Sequence, residues 1–206
     1  VLEGRRSFGN ILKYVLMGTS SNFGNMFSMA GAAIFLPFLP LLPAQLLLNT
    51  LLYDLSQLAI PRDYVDSRFL ARPQRWNTRL IRQFMLTLGP ISSLFDFLTF
   101  AILLQVFKAD PELFHSGWFV ESLVTQVLVI FVIRTSGSPW SQPPHPALFW
   151  GALLVVLVGA ALPAAGVLEF DPLPPAFYLY VAVASLIYLT LVQWVKSYFY
   201  RKHSLS

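Results

Sequence analysis

Asp54 is the one charged residue in the largely apolar block between Pro43 and Pro61. A charged side chain at the centre of a bilayer costs about 2.5–3.5 kcal/mol on the insertion scale, so one that persists there usually faces protein, water or an ion. Thr50 lies one helical turn before Asp54 and Gln57 about one turn after it, giving one oxygen-bearing face; Gln45, Asn49 and Ser56 point to a different side. In the preceding apolar block Asn22, Asn25 and Ser28 recur at three-residue intervals and stay roughly on one face. Gly24 and the small residues at 30–33 let a neighbouring helix approach, so a short turn between the two blocks could bring Asn22 and Asn25 towards Asp54. Neutral amide and hydroxyl oxygens beside a carboxylate suit magnesium or calcium, and magnesium in particular keeps several waters and uses few protein ligands. The competing reading is that such amides only hydrogen-bond neighbouring helices; it is weakest for Asp54, because an ionised carboxyl is harder to explain as glue.

Other polar residues in apolar blocks leave their chemistry open. Asp96 has Ser92 and Ser93 one turn behind and Thr99 ahead, which fits a locally satisfied carboxyl as well as a transport role. Glu121, Ser122, Thr125 and Gln126 form a polar stretch, with Glu121 expected near a solvated outer end. His115, His145 and His203 fall in expected loops or tails, so no helical His pair for zinc is present. The chain has no Cys, which excludes disulfides and thiolate metal sites, and no phosphate-cradling Gly loop or nucleophile elbow.

The elements that must position these side chains are membrane helices. Of 206 residues, 56% are hydrophobic and only 12% charged, against roughly 25% charged in a soluble domain. Apolar blocks over residues 21–39, 41–60, 84–107, 118–133, 146–168 and 177–199 predict an all-α bundle of six transmembrane helices in three hairpins. Of the 14 Lys and Arg residues, all but Lys108 fall on one side of that topology, which predicts cytoplasmic termini and explains the net charge of +4 without nucleic acid. Residues 1–20 read as an amphipathic cytoplasmic stalk helix running into the first span, with Ile11, Leu12, Val15 and Leu16 at helical spacing. The remaining divisions are a first hairpin over 21–60 with the candidate ion-site residues, an Arg-rich cytoplasmic loop over 61–83, a four-helix support region over 84–199 and a cytoplasmic tail over 200–206. The Arg-rich loop could contact anionic lipid headgroups or an adjoining cytoplasmic domain, although the positive-inside bias already accounts for it. Trp118, Trp140, Trp150 and Trp194 near span ends fit interfacial anchoring.

Segments 1–10 (VLEGRRSFGN), 20–28 (SSNFGNMFS), 51–61 (LLYDLSQLAIP) and 117–126 (GWFVESLVTQ), the last followed by 133–135 (IRT), carry a family resemblance. The chain resembles the C-terminal membrane region of magnesium-translocating P-type ATPases. That resemblance implies the fifth to tenth helices of such a pump, with 1–20 as the stalk leaving the phosphorylation domain. It implies cation-facing side chains at Asn22 and Asn25 and a carboxylate ligand at Asp54. Where the family usually has Asn one turn before that acid, this chain has Thr50, with Asn49 beside it. Either the Thr50 hydroxyl substitutes, or local unwinding recruits Asn49. The implied cargo is magnesium, the implied location the cell inner (plasma) membrane, and the implied partners are membrane lipids and an N-terminal catalytic portion that uses ATP. No D-K-T-G-T or T-G-E-S segment occurs in the 206 residues, so no phosphorylation or nucleotide-binding machinery is expected in this chain. The rival expectation is a free-standing passive cation channel, carrier or non-catalytic membrane subunit.

Overall fold

Proline and short polar caps set where the helices begin. Pro43, Pro111, Pro146 and Pro175 each open a helix at the position where a missing backbone N–H costs nothing. The structure, a computed structural model, describes residues 2–65, 70 and 76–202. Its principal elements are α1 (Leu2–Phe35), α2 (Pro43–Gln57), α3 (Thr78–Gln105), α4 (Pro111–Ile133), α5 (Pro146–Ala161) and α6 (Pro175–Lys202), with no strand among the described residues. Asn77 caps α3 by accepting from Leu80 N at 3.1 Å, and Asp110 caps α4 by accepting from Leu113 N at 2.9 Å. Because Asp110 and Pro111 start α4 well before Trp118, His115 lies inside a helix rather than in a loop.

The chain is an all-helical, multi-pass membrane bundle. Four stretches, Thr78–Gln105, Pro111–Ile133, Pro146–Ala165 and Pro175–Arg201, are long and apolar enough to cross a bilayer. The first two helices fall short of that standard for different reasons. In α1, 34 residues long, apolar residues are diluted by Ser, Asn and the charged N-terminal turns. The 15 residues of α2 rise only about 22 Å, less than a hydrocarbon core of about 30 Å.

The middle of the bundle is α4, nearly all of whose side chains, polar ones included, are buried and which touches α1, α2, α3, α5 and α6. The most extensive helix pairing is between α1 and α3. Small residues make it possible: a Cβ placed on Gly24 would sit 3.0 Å from Ser92 Cβ and 3.1 Å from Gly89 O. Gly24 therefore seats α3 rather than α2, contrary to the expectation that the small residues of the first block would draw in the second. Most of the packing of α2 is against α5 and α4.

Lys196 shows how much of the basic side of the bundle is structural. It is fully buried in α6 and donates to Val132 O at 2.7 Å, Thr135 O at 3.0 Å and Gly137 O at 2.8 Å, capping the C-terminal end of α4. Lys196→Met leaves those carbonyls without their charged donor and is expected to cost about 1.5–3 kcal/mol, read as a lower thermal midpoint in lipid or detergent. An unchanged midpoint would show that water replaces the ammonium without loss.

Candidate functional site

Two polar stripes run along α2, and the bundle separates them. Gln45, Asn49 and Ser56 are buried, whereas Thr50 and Asp54 are exposed. Gln57 shares the angular position of the second stripe but is buried, because the chain turns at Ile60–Arg62 and that turn packs on α1. The expected face of Thr50, Asp54 and Gln57 is therefore open at only its first two members.

Helix α2 is unbroken from Pro43 to Gln57, so no unwinding presents Asn49 to the Thr50 side. Asn49, 2% exposed, donates through Nδ2 to Phe119 O at 3.3 Å and accepts at Oδ1 from Gln126 Nε2 at 3.4 Å. The same Nε2 donates to Ser122 Oγ at 2.6 Å, and Ser122 donates at 3.5 Å to Oδ1 of the half-buried Asn25 on α1. A polar chain thus crosses α4 and links the first two helices through it. Their direct tie is Tyr53 OH donating to Ser21 Oγ at 3.2 Å. Asp54 and Asn22 are the next residues in sequence after those two, and both are exposed. Thr50 donates to Leu46 O at 3.0 Å, leaving its oxygen lone pairs outward. Asp54 takes no hydrogen bond or ion pair from the described residues.

Several polar residues have partners that the sequence does not reveal. Asp96 is held by other helices rather than by Ser92, Ser93 or Thr99: it accepts from Ser28 Oγ and, at 2.9 Å, from Trp118 Nε1. Ser93 instead donates to Gly24 O at 2.9 Å, and Thr99 pairs with Tyr180 OH at 2.8 Å. Trp118 is consequently a core residue, while Trp140, Trp150 and Trp194 remain exposed as interfacial anchors would be. Glu121 is buried and not solvated at an outer end. His115 is also buried, its Nε2 2.8 Å from Leu39 O, and His145 caps α5 by accepting from Ala147 N at 3.2 Å. His203 lies outside the described residues.

At the other end of the bundle Asp63 gathers three segments. Its carboxylate accepts from Arg134 Nε and Nη2, both at 3.2 Å, from Lys13 Nζ at 3.1 Å and from His145 N at 3.3 Å. Asn10 of α1 donates to Pro61 O at 3.0 Å and Asp63 O at 3.3 Å, while Arg134 also reaches Gln142 O and Pro143 O. The first half of α1 is thereby fastened to the start of the polar loop and to the end of α4. Arg134 and Lys13 are thus structural as well as contributing to the charge bias. Of the arginines expected in the loop, Arg62 is exposed at the turn after α2, while Arg79 and Arg82 are exposed on the first turns of α3, which begins at Thr78, inside the expected loop; Arg68, Arg72 and Arg75 lie outside the described residues.

The fold places the chain among multi-pass helical membrane proteins, with a carboxylate on its second helix that no described residue engages. The chain belongs to the family described as Cation transporting ATPase, C-terminus, which matches residues 38–198. It is 46% identical over 211 residues to the Magnesium-transporting ATPase, P-type 1 of Salmonella typhimurium (strain 14028s / SGSC 2262), covering 98% of this chain and 23% of that relative. Identity to the protein of the same name from Escherichia coli (strain K12) is 46% over 212 residues, covering 98% of this chain and 24% of that relative. A second Salmonella typhimurium protein of that name, from strain LT2, is 39% identical over 211 residues, with 98% and 23% covered. The chain spans about a quarter of the length of these relatives.

Proposed function

We propose that this chain is the membrane transport segment of an ATP-driven, magnesium-importing P-type ATPase and supplies part of its cation site. Asp54 provides the negative charge, Thr50 a hydroxyl oxygen in place of the family's usual amide, and Asn22 and Asn25 carboxamide oxygens from α1. Asn49 holds α2 on α4 and stands behind the site rather than in it. The observation that carries this reading is the open face itself: Asp54 and Thr50 are exposed on a helix that packs against two apolar spans. An ionised carboxyl left against lipid at that depth is costly, so a polar surface or a cation must meet it. In a pump four times the length of this chain, the remaining membrane helices and the ATP-using portion provide that cover and the energy. Residues 1–20 form the stalk, 21–60 the ion-site hairpin, 61–83 the cytoplasmic loop, 84–199 the support and 200–206 the tail, in an inner (plasma) membrane with both termini cytoplasmic.

The test uses exposed residues whose replacement leaves the bundle's own packing alone. Thr50→Val and Asn22→Leu in the full-length pump are each expected to raise the magnesium concentration for half-maximal ATP hydrolysis about tenfold, equivalent to roughly 1.4 kcal/mol of lost cation binding. Magnesium dependence identical to the unaltered protein in both variants would remove this face from the transport path.

A further inference from the structure

The proposed magnesium face makes no use of Asp96 and Glu121, on α3 and α4. Both are almost completely buried, at 2% and 1% exposure, and they interact electrostatically. They differ in what surrounds them. Both Asp96 oxygens are engaged by hydrogen donors, Oδ2 by the Ser28 hydroxyl and Oδ1 by the Trp118 indole N–H. Neither Glu121 oxygen has a hydrogen-bond partner among the described residues. The one charge within reach of Glu121 is Asp96, which is of the same sign. The other titratable groups that feel the pair are Tyr180 and Tyr188 of α6. α1 contributes only the neutral Ser28 here, and no titratable group of α2 or α5 acts on Glu121.

Two like-charged carboxylates buried to this extent cannot both stay ionised at low dielectric, so the pair must take up something positive. A metal ion fits poorly. An indole N–H occupies one Asp96 oxygen and cannot ligate, and no third acidic or His side chain joins the group among the described residues. A proton fits: donors on both Asp96 oxygens favour the anion there, while Glu121, without a donor, becomes one by holding the proton itself.

We propose that Glu121 and Asp96 form a buried binding site for one exchangeable proton, with Glu121 carrying it and the Asp96 carboxylate as its acceptor. The site is separate from the Asp54 face, so the two readings stand or fall independently. When the proton leaves, the Glu121 O–H bond breaks, its electron pair stays on the carboxylate and solvent water takes the proton as hydronium; when it returns, hydronium gives it back and the same bond forms again.

The test is infrared difference spectroscopy of the full-length protein in lipid, recorded while the pH is stepped. The expected result is a protonated-carboxyl band that moves in heavy water, declines as pH rises while carboxylate absorption grows, and is lost completely in Glu121→Gln. Glu121→Asp keeps an acid at the position and is expected to retain the band at a shifted frequency, which separates loss of the proton from loss of the fold. Asp54→Asn is expected to leave the band in place. Persistence of the band in Glu121→Gln, its absence from the unaltered protein at every pH, or a band indifferent to pH would each overturn the proposal, the last by showing a fixed structural proton.

Discussion

Asp54→Asn is expected to abolish magnesium-stimulated ATP hydrolysis by the full-length pump while leaving the protein in the membrane at its normal level. The two halves of that outcome have separate physical causes. Asp54 is exposed on α2 and bonded to none of the described residues, so exchanging a carboxylate for an amide of the same shape breaks no internal contact. Surface substitutions of that kind usually change stability by no more than about 0.5 kcal/mol. The charge is a different matter. Thr50, Asn22 and Asn25 are neutral, and a partly hydrated divalent cation held by neutral oxygens alone lacks the electrostatic attraction that a carboxylate supplies at low dielectric. Retention of ordinary stimulation in this variant would count decisively against the proposed cation site. Loss of the protein from the membrane would show instead that Asp54 has a folding role that its lack of bonds does not suggest.

The largest effect on stability is expected from Asp63→Ala. Asp63 and Arg134 are bonded at 3.2 Å, with side chains each 1% exposed. Removing only the anion leaves the guanidinium buried, with Gln142 O and Pro143 O but without its counter-charge. Breaking a buried pair in that way costs about 3–5 kcal/mol, whereas removing both partners costs much less. A measured midpoint should therefore fall sharply in Asp63→Ala and recover in large part in the double variant with Arg134→Met. Lys13 and His145 N lose the same acceptor, so hydrogen exchange in the first half of α1 should rise with Asp63→Ala. Equal midpoints in the single variant and the unaltered protein would mean that solvent reaches Arg134 freely.

The contrast between these two acids explains why their roles were unequally legible. Asp54 announces itself because it interrupts an apolar run. Asp63 lies at the start of a polar, Arg-rich loop where an acid is unremarkable, and its weight comes from Arg134, Lys13 and His145, which are distant in sequence. Lys196 and Arg134 illustrate the same limit. A charge count assigns them to the basic side of the expected topology, yet it cannot register that one caps α4 and the other is locked in a buried pair.

The amino-acid sequence by itself determined the all-helical membrane class and the family, because apolar blocks long enough for a bilayer and extended matching segments are properties of the linear chain. It also separated the two stripes of α2, since the angle between residues on a helix is fixed by its pitch. Which stripe would turn inward was decided only when α2 settled on α4 and α5 while Gly24 drew α3 onto α1. The partners of Trp118, Asp96 and Glu121 were settled in the same step. Helical periodicity fixes how side chains lie relative to one another around an axis, but not which neighbour that axis meets; close packing among six helices supplies the missing choice.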